Sequence, residues 1–97
     1  MKLFLEDIQH SGRSGPSGVS REGEQYEERK NTYCDLEAES TDHGTVMIIS
    51  HYLTPDMTGE PVLKTMTLPI EEIAMNYTHF TLKTVDTIYV FRKEDEQ

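Results

Sequence analysis

The stretch from Cys34 to Glu39 reads CDLEAE, in which apolar residues alternate with acidic ones. Successive side chains of a β-strand point to opposite faces of a sheet, so this alternation predicts a half-buried strand. The predicted inward face holds Cys34, Leu36 and Ala38, and the acids face solvent. Extended backward, the pattern places Glu28 and Lys30 inward, so the preceding residues either project beyond the core or are not strand.

The segments around this strand predict an antiparallel sheet. Residues 41–44 read TDHG, a turn signal, and the run TVMIISHYL that follows at 45–53 is apolar on both faces. We therefore predict a central strand there, in a hairpin with 34–39. The breaker-rich residues 54–61 connect this strand to a further predicted strand at 62–67.

The two ends of the sequence also predict strands. Residues 3–8 are typical of a first strand, and residues 78–84 and 87–93 predict a pair around Val85 and Asp86. The predicted inward side chains of that pair are Phe80, Leu82, Ile88 and Val90.

In residues 68–76, LPIEEIAMN, the spacing of the apolar residues changes from strand-like alternation to a helical pattern, which predicts a helix of one to two turns. Pro69 suits a first helical turn, and Glu71 and Glu72 suit the positive end of the helix dipole. Ile70 and Ile73 then begin an apolar stripe.

Residues 11–24 predict a long flexible loop because they are rich in glycine and serine, and residues 94–97 predict a frayed acidic tail. Val19 is the one apolar anchor in the loop up to Gly23. We expect Arg13 and Arg21 either to fold back onto the acidic residues that follow or to reach a partner. Replacing residues 11–20 with a short Gly-Ser link should then leave the melting temperature nearly unchanged.

Residues 1–97 thus predict a single, mainly β (α+β) domain. The expected architecture is a curled antiparallel sheet or a small partly open barrel of about five to six strands, with one short helix and a long Gly/Ser loop. An α+β packing is the alternative.

The sequence gives no sign of secretion or of a membrane span, because it has neither a signal-peptide pattern nor an apolar run of about 18 residues. Its single cysteine, Cys34, fits a reducing compartment. We therefore expect a cytoplasmic protein.

No catalytic, cofactor-binding or metal-binding motif is present, so we expect neither an enzyme nor a bound cofactor. The histidines His10, His43, His51 and His79 lack the spacing of metal ligands. Nine Lys and Arg among 18 Asp and Glu also disfavour direct binding of nucleic acid.

The most informative feature is charge. Between Glu22 and Asp42, eight acids stand against Arg29 and Lys30, a local net charge of −6 in a chain of net charge −9. We call these eight acids the acidic block; they are Glu22, Glu24, Glu27, Glu28, Asp35, Glu37, Glu39 and Asp42. The block is either a partner-binding surface or the solvated face of an edge strand, where charge prevents aggregation.

In size, acidity and lack of catalytic motifs, the chain resembles small host-takeover proteins of bacteriophages, and within them the acidic DNA mimics. The residues that carry the resemblance are those of the acidic block. It implies an inhibitor that occupies the DNA-binding surface of a basic host protein, such as a nucleoid-associated HU protein or a polymerase. Such a protein would act in the host cytoplasm, away from membranes.

A second hypothesis is a structural module that assembles through its sheet edges, with a homodimer as the simplest form.

Overall fold

The structure is a computed structural model that describes residues 3–13, 15–38, 44–50 and 63–93, with the backbone alone at 37, 38, 50 and 63. Thr41, Asp42, residues 51–62 and the predicted tail at 94–97 lie outside the described residues. The described elements are seven strands and one short helix: β1 Leu3–His10, α1 Glu24–Glu27, β2 Thr32–Ala38, β3 Val46–Ser50, β4 Leu63–Met66, β5 Glu72–Met75, β6 His79–Lys83 and β7 Thr87–Lys93.

The strands form one unclosed antiparallel sheet in the order β4-β3-β2-β1-β7-β6-β5. This confirms the predicted mainly β fold with a curled sheet, although the sheet has more strands than the expected five to six. The hairpin of β2 with β3, the pairing of β3 with β4 and the pairing of β6 with β7 are also confirmed.

The central strand is β1, so the prediction that residues 45–53 hold the centre is wrong. Leu3, Leu5 and Ile8 of β1 are all at most 1% exposed, and β1 pairs with β7 from Leu3 to His10. In β3, which lies second from an edge, Ile48 and Ile49 are both buried. Burial on both faces therefore does not require the central position.

A bulge in β1 explains why Leu5 and Ile8 can both face the core. Residues three apart in a regular strand lie on opposite faces. Here the pairing with β7 slips between Leu5 and Asp7, which leaves Glu6 as an extra residue and brings Ile8 back to the inner face.

The core lies on the concave face of the sheet and consists of buried apolar side chains from five strands: Leu3, Leu5, Ile8, Cys34, Ile48, Phe80, Leu82 and Phe91. The inward positions predicted for Phe80 and Leu82 are confirmed.

The inward positions predicted for Ile88 and Val90 are wrong. The register pairs Phe80 with Phe91, and inward-facing Leu82 with Tyr89, so the odd-numbered residues of β7 face the core. Phe91 is fully buried and Tyr89 packs against the core cluster.

The helix predicted at 68–76 is also wrong, because residues 72–75 form strand β5. The Asn76 side-chain oxygen accepts the backbone N–H groups of Thr78 and His79 at 2.9 and 2.8 Å, which makes a tight turn. That turn lays β5 along β6, where the strand pairing outcompetes a short helix of marginal stability. The short helix among the described residues is α1 instead.

The linker between β4 and β5 crosses the gap between the two ends of the curled sheet. Thr67 N–H donates to the Val46 carbonyl at 2.9 Å, Ile70 N–H to the Gly44 carbonyl at 3.1 Å, and Glu71 N–H to the Lys83 carbonyl at 2.7 Å. These bonds tie the linker to β3 on one side and β6 on the other. The result is a half-closed barrel.

The loop at 11–24 is anchored at its far end. His10 N–H donates to the Val19 carbonyl at 2.8 Å, and Arg21 N–H donates to the Ile8 carbonyl at 2.7 Å. The Arg21 guanidinium donates to the Asp86 carbonyl and the Thr87 hydroxyl at 2.9 and 3.0 Å. Of the two alternatives predicted for Arg21, a contact with the acidic block or with a partner, the structure shows neither, because its guanidinium binds acceptors of residues 86 and 87. The flexibility of the loop stays a prediction.

These anchors change the expected effect of shortening the loop. Replacing residues 11–20 with a short Gly-Ser link should lower the free energy of unfolding by about 2 kcal/mol, because Ser20 and its hydrogen bonds are lost. Replacing only residues 12–17 should change it by less than about 0.5 kcal/mol. Urea unfolding of both variants checks this, and equal losses would place the anchor within 12–17.

Candidate functional site

The described acids of the block divide between two elements. Glu22, Glu24, Glu27 and Glu28 are exposed on α1 and its flanking residues, a region we call the acidic turn, 22–28. Asp35 is exposed on β2, and Glu37 also belongs to β2, with its side chain outside the description. Glu39 and Asp42 lie outside the described residues.

The acidic turn owes its shape to Gly23 and Tyr26. Gly23 has φ of 129°, a value that L side chains rarely adopt, and its carbonyl accepts the N–H groups of Tyr26 and Glu27, both at 2.9 Å. Tyr26 packs against the core, and the Arg21 guanidinium lies 4.9 Å from its ring centroid. With Tyr26 directed inward, Glu24, Glu27 and Glu28 remain on the solvent side.

Lys30, one of the two bases within the block, is directed into the protein. It is 9% exposed, and its Nζ donates to Ser20 Oγ and the Arg21 carbonyl, both at 2.7 Å, and to Glu27 Oε2 at 3.1 Å. Asp7 Oδ1 lies 3.7 Å from the same Nζ. Of the two alternatives for the residues before β2, the structure gives a turn with Lys30 inward.

The Asp7 carboxylate that faces Lys30 is stabilised in its charged form. Burial raises the pKa of Asp7, but hydrogen bonds from Ser20, Gln9 and the Ile8 N–H, together with the charge of Lys30, outweigh burial and lower the pKa below its usual value. Asp7 therefore faces buried Lys30 as a partly exposed carboxylate.

Arg29, the other base of the block, is half-buried. Its Nε donates to Thr65 Oγ1 of β4 at 2.8 Å, and its Nη1 donates to the Gln25 carbonyl. Both bases therefore bind acceptors of the protein itself. These bonds leave both positive charges in place, and Lys30 also pairs with Glu27 of the turn. Neither base forms a described ion pair with Glu22, Glu24 or Glu28, whose carboxylates face solvent.

The β2 acids lie on a more mixed surface. Asp35 pairs across the sheet with Ile49, and Ile49 pairs with Lys64, an exposed lysine of β4. Since paired residues share a face, Asp35, Ile49 and Lys64 form one row. The structure thus favours the acidic turn over β2 as the more strongly negative surface.

Sequence reasoning missed that both bases are sequestered. The backward extension of the period-two pattern did place Lys30 inward, but the acceptors that make its burial tolerable come from β1 and the loop. Those partners are distant in sequence, at Asp7 and Ser20, and nothing local marks them.

A second polar cluster lies on the opposite, outer face of the central strands. The Arg92 guanidinium lies 4.5 Å from the Phe4 ring centroid, and the Phe4 and Tyr33 centroids are 5.0 Å apart. Glu6 binds His79 Nε2 at 3.0 Å and Arg92 Nη1 at 3.6 Å. These contacts satisfy the charges within the cluster and hold the bulge of β1 in place.

Comparison with known proteins finds no family model, curated protein or solved structure that matches the chain. Within the described ranges, no group of three or more His, Cys, Asp or Glu residues is placed to hold a metal ion. Helix α1, with its four residues, is far too short to cross a membrane, and the described residues hold no helix that is long and apolar enough to do so.

Proposed function

We propose that the protein is an acidic inhibitor whose acidic turn binds the basic, DNA-contacting surface of a DNA-binding protein and so blocks its access to DNA. The observation that carries this proposal is the exposure of four carboxylates within residues 22–28, while Lys30 is directed into the protein and Arg29 is half-buried.

We assign the main contact with the basic surface of the DNA-binding protein to Glu22, Glu24 and Glu28. Glu27 is already engaged by Lys30 at 3.1 Å, and Asp35 is exposed on the more mixed surface of β2. Lysines and arginines that hold phosphates would bind these carboxylates instead. Such association is steered by the field, fast, and weakened by salt, since exposed charges are screened over about 8–10 Å at physiological ionic strength.

In the setting that the resemblance implies, the inhibitor acts in the cytoplasm of a bacterial host on an HU-type protein or a polymerase. The binding step needs no chemical reaction. It requires only that the acidic turn and the DNA compete for the same lysines and arginines.

Competition for an HU-type protein tests the proposal. A labelled duplex is displaced from the HU-type protein by the inhibitor at low and at moderate salt, and the variant E22Q/E24Q/E28Q is compared with the natural chain. We expect the variant to compete about tenfold less well, since three charge contacts are lost at up to about 1 kcal/mol each. Higher salt should weaken the natural chain more than the variant.

The variant E94Q/D95N/E96Q is the matched control, because it changes the net charge by the same amount outside the acidic block. Equal losses in the two variants would show that total charge matters and the acidic turn does not. Failure of the natural chain to displace DNA from the HU-type protein at low salt would exclude an HU-type target, and the same measurement with a polymerase then decides the proposal.

A further inference from the structure

The edge strand β5 carries large apolar side chains that are exposed to solvent. Ile73 pairs with Leu82 and Met75 pairs with Phe80, so all four side chains share the concave face. Leu82 and Phe80 are buried, yet Ile73 and Met75 are 59% and 55% exposed. The concave face of the sheet therefore continues past its core onto an apolar strip.

This strip borders the opening of the half-closed barrel. An open cleft of about 440 Å³ lies between residues 44–46 on one side and residues 70–73 on the other. A second cleft of about 430 Å³ lies at the other end of β5, against Met75, Asn76, Tyr77 and Lys93, and Tyr77 is 99% exposed. The exposed side chains of Ile73 and Met75 thus lie between two clefts, one at each end of β5.

The two edges of the described sheet differ in how they are protected. Natural edge strands commonly carry a lysine, a proline or a bulge, which prevents pairing with another chain. The β4 edge has the exposed Lys64, whereas β5 reads EIAM and pairs with β6 in unbroken register. The charge of its Glu72 lies 4.0 Å from Lys83 within the same sheet. The β5 edge is therefore the one suited to pairing.

We propose that β5 is a self-association edge at which a second copy of this chain adds its own β5 in antiparallel orientation. A two-fold axis through the strand makes the contact isologous, so each copy offers the same surface. Alternate N–H and C=O groups of an edge strand point away from the sheet and would bind the partner strand.

Charge complementarity supports a second copy as the occupant. The β5 region is acidic just before the strand, at Glu71, and basic beyond its end, at Lys93 beside Tyr77. Glu72 lies near Lys83 of its own sheet and is not counted here. Antiparallel pairing brings the acidic end of one copy to the basic end of the other, and does so twice. The Ile73 and Met75 side chains of the two copies meet between these ends.

The contact is short, so the dimer should be weak and reversible. It also leaves the acidic turn out of the contact, and the inference therefore does not depend on the proposed inhibitor function.

Sedimentation velocity from micromolar to near-millimolar concentration tests the proposal. We expect the natural chain to shift from monomer to dimer as concentration rises. Ile73→Lys should weaken dimerisation by about tenfold or more, since it places a charge within the apolar contact. Met66→Lys, at an exposed apolar residue of the other edge strand, β4, is the matched control and should leave the dimer unchanged.

A charge swap identifies the orientation. Glu71→Lys and Lys93→Glu should each weaken the dimer, because like charges then face each other across it. The double variant should restore the dimer, because Lys at 71 of one copy then faces Glu at 93 of the other. A chain that stays monomeric throughout would overturn the proposal, as would a dimer that survives Ile73→Lys or is lost equally with Met66→Lys. Single swaps that weaken the dimer without rescue in the double variant would overturn the antiparallel arrangement.

Discussion

Replacing Lys30 with methionine should lower the free energy of unfolding by about 3 kcal/mol. Methionine keeps the apolar stem and the approximate length of lysine but removes the ammonium. The Asp7 carboxylate then loses the cation that helps to keep its pKa low, and the Arg21 carbonyl loses a 2.7 Å hydrogen bond. Because the Asp7 side chain is 29% exposed, water recovers part of the loss, which places the expected value at the low end for a broken buried pair.

Urea unfolding measures this effect, with Lys64→Met as the control for loss of an exposed lysine. Lys64→Met should change stability by less than about 0.5 kcal/mol. The double variant K30M/D7N should recover part of the loss, since the uncompensated charge is then gone as well. Additive losses from Lys30→Met and Asp7→Asn would contradict the coupling of the two residues.

Replacing Phe91 with alanine should lower the free energy of unfolding by about 4 kcal/mol, which approaches the whole stability of a domain of this size. Phe91 is fully buried in β7, where its ring centroid lies 6.1 Å from that of Phe80. Val90, its neighbour on the other face, is only half-buried, so Val90→Ala should cost about 1 kcal/mol.

Thermal and urea unfolding of the two variants therefore determine which face of β7 is inward. A larger loss for Val90→Ala than for Phe91→Ala would restore the inward face that the sequence pattern predicted. The ordering of the two losses is the measurement that matters, since absolute values depend on how far the core relaxes.

Local patterns predicted much of the sheet. The period-two alternation around Cys34 and the turns at 41–44 and 85–86 were enough to place β2, β3, β6 and β7, because hairpin partners are close in sequence. The face of β7 was not predictable in the same way, since Ile88, Tyr89, Val90 and Phe91 are all apolar or amphipathic and only the register with β6 selects one face.

Two features depended on distant contacts and were therefore missed. Residues 70–75 suit a helix as well as a strand, and the pairing with β6 decides between the two. The central position of β1 requires a partner at 87–93, which no local pattern of residues 3–10 indicates.

The sequence alone was enough to predict which residues form the acidic block, but only partly how they are arranged on the surface. The sequence shows which residues carry charge, but not that Arg29 binds Thr65 or that Lys30 enters a site made by Asp7 and Ser20. Those partners lie up to 36 residues away. They decide where the two positive charges lie relative to the acidic turn.

The pairing of β1 with β7 has a consequence for how the chain is made. Leu3 pairs with Lys93 in the central ladder, so among the seven described strands the one synthesised first must wait for the one synthesised last. During translation β1 can pair with β2, but its other edge and the side chains of its buried face stay uncovered until the ribosome has passed β7. Long-range pairing of this kind slows folding and prolongs the time for which aggregation-prone intermediates expose apolar surface. The acidic residues between β1 and β3 would make such nascent chains repel one another during this delay and so oppose their aggregation.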